Sequence, residues 1–257
     1  EVPIGVTYKQ FITHNFEKRP HMIIAGQTGF GKSEIIKLLV ASLTTNKPEH
    51  VRFHLIDLKG GTELGVFRNM KQVVNFGRNV VQAKEILKNI QERMDNVLDK
   101  LFEDGLKDVK DAGQKEREFI FIDEAADLDD DCKEIVTDIA RRGRSAGFRL
   151  IYATQYPTNE TLPSQVRANI GSRIAFRLET SAQSRATLDE NGAEELPEIE
   201  GRAIFRRIKN HLIQTPLMDK KTLHELIKPH LKEGERASYQ TKKPSKTREN
   251  PFELKEL

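Results

Sequence analysis

Six apolar runs recur along the chain, at residues 21–26, 51–57, 118–123, 148–154, 172–178 and 201–205. Each is short and nearly continuously apolar. That pattern predicts strands buried on both faces of a parallel sheet. Longer segments with helical spacing fall between them, near 32–44, 82–103, 131–145 and 219–231. In 82–103 the residues Ile86, Leu87, Ile90, Met94, Val97, Leu98 and Leu101 form one apolar stripe, which predicts a helix packed on a core. Alternating strands and helices predict an α/β fold with a mainly parallel, doubly wound sheet flanked by helices. No repeat of 20–50 residues stands out. Residues 104–118 are polar and read as a surface connection. Residues 1–17 read as a lead-in, 18–232 as the domain, and 233–257 as a polar tail outside the core. Within the tail, "PFELKEL" at 251–257 reads as a short docking element.

Composition narrows the class only slightly. The chain has 257 residues, 37% hydrophobic and 32% charged, with a formal net charge of +3. That balance fits a folded domain and permits an acidic partner without requiring one. The single cysteine, Cys132, excludes an intrachain disulfide and points to a reducing, cytoplasmic compartment. Its neighbours "DLDDDC" are acidic and surface-like, so it reads as an incidental helix residue rather than a reactive thiolate. No apolar run reaches the roughly 20 residues of a membrane span. The chain begins without methionine, so it reads as a fragment, and any membrane anchor would precede Glu1.

The most informative stretch follows the first apolar run. Gly26, Gln27, Thr28, Gly29, Phe30, Gly31, Lys32 and Ser33 fit G-x-x-x-x-G-K-[ST] at every fixed position, between a predicted strand and a predicted helix. Glycines free the backbone to turn successive N–H groups around phosphate oxygens. The helix start adds its partial positive charge. Lys32 can reach the β- and γ-phosphates, and the Ser33 hydroxyl can ligate Mg²⁺. With Glu34 next on the helix, these residues form the expected nucleotide-binding set.

Such a cradle calls for an apolar strand ending in a carboxylate. "FIFIDE" at 119–124 supplies one. Asp123 would hold the metal with Ser33, and Glu124 would polarise the attacking water. The alternative for the pair is a helix cap after a strand. Gln155, at the tip of the next predicted strand, either touches the γ-phosphate or is a plain loop residue. No N-K-x-D base-reading motif is present, so ATP with Mg²⁺ is the expected ligand rather than GTP.

From about residue 18 to 215 the chain resembles the FtsK/SpoIIIE branch of the FtsK–HerA ring ATPases. The resemblance rests on "RPHMIIAGQTGFGKSE", "LIDLKGG", "FIFIDEAADL", "IARRGRSAGFRLIYATQYP", "VRANIGSRIAFRL" and "SAQSRATLDENGAEEL". It implies a RecA-like P-loop NTPase core, a homohexameric ring, ATP between subunits and double-stranded DNA in the channel. In the motif matching "RGRSAG", it implies that Arg144 reaches a neighbour's nucleotide. For Arg144, and more so for Arg141 and Arg142, the alternative is charge compensation at a helix end. Lys59 and Glu63 in the "DLKGG" loop either join the site or an interface, or belong to a solvated loop.

The DNA-facing positions depart from the family pattern. Tyr156 and Ser181 stand where basic residues are usual, and Arg185 alone of that set remains. Tyr156 and Arg167 are further DNA-contact candidates. Arg173 and Arg177 are weaker ones, because they lie on a predicted strand where they can pair internally.

The expected function is therefore an ATP-driven ring that moves double-stranded DNA, as a conjugative coupling or mobile-element transfer protein working with transfer-machinery or replication partners. Two alternatives remain: a type VII-like protein-secretion ATPase, and a DNA-encircling scaffold with little motor activity.

Overall fold

Alternate residues of each apolar run face opposite sides of one sheet. On β3 (Met22–Ala25), β4 (Val51–Asp57), β6 (Arg117–Asp123) and β7 (Phe148–Thr154), residues Met22, Ile24, Phe53, Leu55, Phe119, Phe121, Ile151 and Ala153 enter one core. Ile23, Ile56, Ile120, Ile122, Leu150 and Tyr152 enter the other. Burial on both faces is why these runs lack polar alternation. The structure is a computed structural model of the chain and describes residues 1–233. The docking element read at 251–257, and the tail from residue 234, lie outside the described residues.

Ten strands form a single sheet in the order β2-β1-β10-β9-β8-β3-β7-β6-β4-β5. Besides those above they are β1 (Val2–Val6), β2 (Phe11–His14), β5 (Val73–Gly77), β8 (Ser172–Phe176), β9 (Arg202–Arg206) and β10 (Asn210–Gln214). From β8 to β5 all pairings are parallel. The strands β2, β1, β10 and β9 extend the sheet by antiparallel pairing. Helices α1 (Lys32–Asn46) and α6 (Lys220–Ile227) cover one face. Helices α2 (Val80–Glu103), α3 (Asp130–Arg142) and α4 (Ser164–Asn169) cover the other, with α5 (Ser181–Leu188) over the end of β8.

Three expectations are corrected. Residues 1–17 are not a lead-in apart from the sheet: they supply β1 and β2, and Ile4 and Ile12 enter the core. The helix predicted to 145 ends at Arg142: Gly143 is its C-cap, and residues 143–147 turn the chain into β7. Cys132 is fully buried rather than surface-like. It sits on the inward face of α3 with Ile135, Val136 and Ile139, while Asp130 and Asp131 carry the acidic character outward. Burial pushes its thiol up to about 12.

Candidate active site

The order of strands builds the site. β7 lies between β3 and β6, so Thr154 and Gln155 separate the end of the cradle strand from the acidic pair. All three strands end at the same edge of the sheet. Lys32, at the start of α1, spans the gap and forms a buried ion pair with Asp123. Both side chains are almost wholly buried. The second oxygen of Asp123, Oδ2, is buried without a hydrogen-bond partner. Burial raises the Asp123 carboxyl above its usual range, although the Lys32 ammonium pulls the other way.

The cradle's backbone conformation needs its glycines. Gly31 caps α1 in the left-handed region, at φ 115°. A Cβ there would lie 2.9 Å from the Phe176 ring and 3.2 Å from Gly201 Cα. Gly26 is closed in too, with a Cβ meeting Phe176 Cβ at 2.6 Å. Among described helices of eight residues or more, α1 alone has no side-chain cap; Asn79, Asp129, Thr180 and Asp219 cap the others. Its first N–H groups therefore remain for a ligand.

These groups border a cavity of about 620 Å³. One end is lined by Gln27, Thr28, Gly29, Lys32 and Ser33, with Gln155 alongside. Thr28 Oγ1 donates to Gln155 Oε1 at 3.0 Å, tying the cradle to the tip of β7. The far wall is Gly201 and Gln214 to Leu217, contributed by the antiparallel part of the sheet. Gly201 N donates to Phe30 O at 3.0 Å and joins that wall to the cradle. This wall is assembled by strand pairing some 170 residues beyond the cradle and leaves no local motif in the sequence.

Glu124 adopts the left-handed region, at φ 60°, an uncommon conformation for a residue with a side chain. Its Oε1 accepts from Thr154 Oγ1 at 3.1 Å and from Gln155 N at 3.0 Å. Lys59 Nζ lies 3.2 Å from Oε2, so the "DLKGG" loop reaches the site. Asp57 shapes that loop: its carboxylate accepts from the backbone N–H groups of Lys59, Glu63 and Leu64 at 2.8–3.1 Å. Glu63 also lines the cavity, as does Glu34, whose Oε1 accepts from Lys37 at 2.9 Å.

The other candidates lie elsewhere. Arg144 is exposed, just before β7, at the opposite edge of the sheet from the cradle. Seven residues of strand separate those edges, roughly 20 Å. The cavity is out of its reach. Arg141 and Arg142 pair with Asp138, and Arg142 also with Asp95. Arg173 pairs with Asp189 and Arg177 with Glu198, which are internal roles. Arg167 is half-buried and donates to Ala186 O at 3.3 Å, linking α4 to α5. Arg185 is exposed on α5 and donates to Asn191 Oδ1 at 2.8 Å. Tyr156 is 59% exposed beyond the tip of β7.

A glycine cradle, a lysine across the sheet and two strand-end carboxylates describe a phosphate site, and comparison with known proteins agrees with it. The model of the FtsK/SpoIIIE family matches residues 2–215. The chain belongs to the FtsK/SpoIIIE family. It is 29% identical over 218 residues to a DNA translocase FtsK of Streptococcus agalactiae serotype V, covering 76% of the chain and 27% of the relative. With DNA translocase FtsK of Listeria monocytogenes the identity is 32% over 203 residues, covering 71% and 27%. The chain thus spans about a quarter of the length of these relatives. Among solved structures it resembles the pCW3 conjugation coupling protein TcpA with ATPγS, at TM-score 0.78 and 25% identity, covering 89% of this chain and 70% of that one. It also shares the fold of the cytoplasmic domain of the Thermomonospora curvata type VII secretion ATPase EccC, at TM-score 0.76 and 22% identity, covering 90% and 31%. Fold and family are those of RecA-like P-loop ATPases.

Proposed function

We propose that this FtsK/SpoIIIE-family domain hydrolyses ATP as part of a homohexameric ring and uses the energy to move double-stranded DNA. The observation that carries the reading is the convergence of the Gly26–Ser33 cradle, Lys32, Asp123, Glu124 and Gln155 at one sheet edge, in a chain whose relatives are DNA translocases.

In this reading the backbone N–H groups of the cradle and the uncapped start of α1 bind the phosphates, and Lys32 leaves Asp123 to neutralise phosphate charge. Ser33 and Asp123 fit a Mg²⁺ ion: a serine hydroxyl at the start of α1 and a buried carboxylate oxygen without a partner are both hard oxygen donors, and phosphates would complete the set. That ion would screen charge on the phosphates. Glu124 orients the attacking water, and Gln155 senses the γ-phosphate through its link to the cradle. Arg144, too far from its own cavity, serves the next subunit.

The match to TcpA favours a conjugative coupling or mobile-element role with transfer-machinery partners, on the cytoplasmic side. Any membrane anchor would lie outside these residues: among the described ones, no helix is long and apolar enough to cross a membrane. A second reading, a type VII-like protein-secretion ATPase, draws on the shared EccC fold and on the uncharged Tyr156 and Ser181. ATP turnover measured with and without duplex DNA across salt concentrations separates them. The proposal expects stimulation by duplex that fades as salt rises. Turnover indifferent to duplex at every salt concentration overturns it. Failure to displace a roadblock from duplex despite stimulation would indicate a scaffold.

A further inference from the structure

A second cationic site lies at the sheet edge opposite the ATP cavity. A groove of about 450 Å³ runs beside β2 and is lined by Thr13, His14, Lys18, Arg19 and Arg207, among others. We propose that Lys18, Arg19 and Arg207 bind phosphates of a duplex nucleic-acid backbone, giving this motor a grip apart from the loops after β7 and β8. The proposal rests on the DNA-translocase reading above.

The groove is held by ring packing. The Arg207 guanidinium sits 4.9 Å over the Phe205 ring. The Phe205 ring meets His14 edge-on at 6.4 Å, and His14 Nε2 contacts Arg19 O at 3.0 Å. Arg207, Phe205, His14 and the Arg19 backbone thus form one packed series, which brings Arg207 close to Arg19. Their proximity has an electrostatic signature: burial first, then Arg19, lowers the Arg207 guanidinium below its ordinary value. Burial holds the His14 imidazole down at about 4, so the ring stays neutral and acts as a spacer.

None of Lys18, Arg19 and Arg207 forms an ion pair among the described residues, whereas Arg117, Arg142, Arg149, Arg173 and Arg206 all do. The groove contains one carboxylate, Glu1, whose Oε2 accepts from Thr13 Oγ1 at 2.9 Å. Three cations against one carboxylate leave a surplus that a polyanion can neutralise. The family's usual DNA positions lack their cations here, at Tyr156 and Ser181, which leaves room in the affinity for a second grip. Nucleic acid is favoured over a membrane because exposed apolar residues that would enter lipid are scarce in this groove; Phe11 is the exception.

The test compares the unaltered chain with the triple variant Lys18→Gln, Arg19→Gln, Arg207→Gln by fluorescence anisotropy on a short duplex across salt concentration. Each lost phosphate contact flattens the plot of log affinity against log salt by about 0.9, so the slope should fall by about 2 to 3. DNA-independent ATP turnover should not change, and the unfolding midpoint should fall by no more than about 4 °C, from loss of the Arg207–Phe205 contact. Arg207→Lys, which keeps the charge, should retain the slope. An unchanged slope in the triple variant overturns the proposal while leaving the translocase reading intact. If the unaltered chain neither binds duplex nor responds to it, that reading itself has failed. A raised KM for ATP with an unchanged slope would assign the cations to a neighbour's nucleotide. Loss of binding to phosphatidylglycerol vesicles with an unchanged slope would assign them to a membrane. Either result overturns the proposal.

Discussion

Two adjacent residues, Asp123 and Glu124, are each held by a lysine, Lys32 and Lys59. In the proposed reaction their roles separate on substitution. Lys32→Ala removes charge from the cradle and leaves Asp123 buried without its partner. ATP turnover should fall by at least about 100-fold, read as steady-state phosphate release. Glu124→Gln keeps the shape and the hydrogen bonds from Thr154 and Gln155 but removes the base. Turnover should drop by about 100- to 10,000-fold while labelled ATP stays bound on a filter. Normal turnover in that variant removes Glu124 from the proposed role. The cradle and the acidic pair were legible because their chemistry is local: a glycine turn and a strand end each occupy consecutive residues. Lys59 was left open because nothing in "DLKGG" shows that the loop folds back onto Glu124. The Asp57 carboxylate, binding three backbone N–H groups, helps turn it that way.

At the scale of elements, Glu17 has a large role for a half-exposed side chain. It follows β2 and pairs with both Arg117, at the start of β6, and Arg149, in β7. The Arg149 side chain is only 3% exposed. Glu17→Gln leaves two guanidinium groups sharing no carboxylate. Breaking a buried pair costs about 3–5 kcal/mol, and solvent screening at Glu17 reduces this to about 2 kcal/mol. Thermal denaturation should show a midpoint lower by about 4 to 8 °C. Burial raises the Glu17 carboxyl, but Arg117 and Arg149 outweigh it and hold it below its usual range. A depressed carboxylate stabilises the fold above the unfolded value of about 4.3, and that contribution is lost as pH falls through the folded value. The stability difference between the two proteins should therefore begin to narrow below about pH 4.3 and close only once pH falls below the depressed folded value.

The six strands read from the sequence are those with continuous apolar runs, and all six exist. The four that escaped, β1, β2, β5 and β10, lie in the outer parts of the sheet, where polar residues intervene. In β10, His211 and Leu212 face partly outward. Over four or five residues such alternation is too short to separate from a loop. Helices α4 and α5 have six and eight residues, under three turns, and their buried residues Val166, Ala186 and Leu188 form no stripe long enough to read.

For the whole molecule, the distance between Arg144 and its own cavity makes the proposed enzyme incomplete as one copy. Arg144→Ala should spare ATP binding and lower turnover by about 1,000-fold or more. Mixing it with Glu124→Gln subunits should restore part of the rate, because some seams then combine an intact arginine with an intact base. Absence of any recovery would place the trans-acting cation elsewhere. The doubly wound architecture was readable from strand–helix alternation, but the sequence pattern did not reveal that the first strands return to the last ones. That closure is long-range, and Val6 pairs with Gln214.

The same closure bears on how the chain is made. The floor of the proposed nucleotide cavity is translated nearly two hundred residues before its far wall, Gly201 and Gln214 to Leu217. Over that stretch of synthesis a nascent chain holds a glycine turn that has nothing to close against, and β1 still waits for β10. ATP has a finished chamber to enter only once β10 has paired, so nucleotide can favour the completed domain but cannot template its beginning.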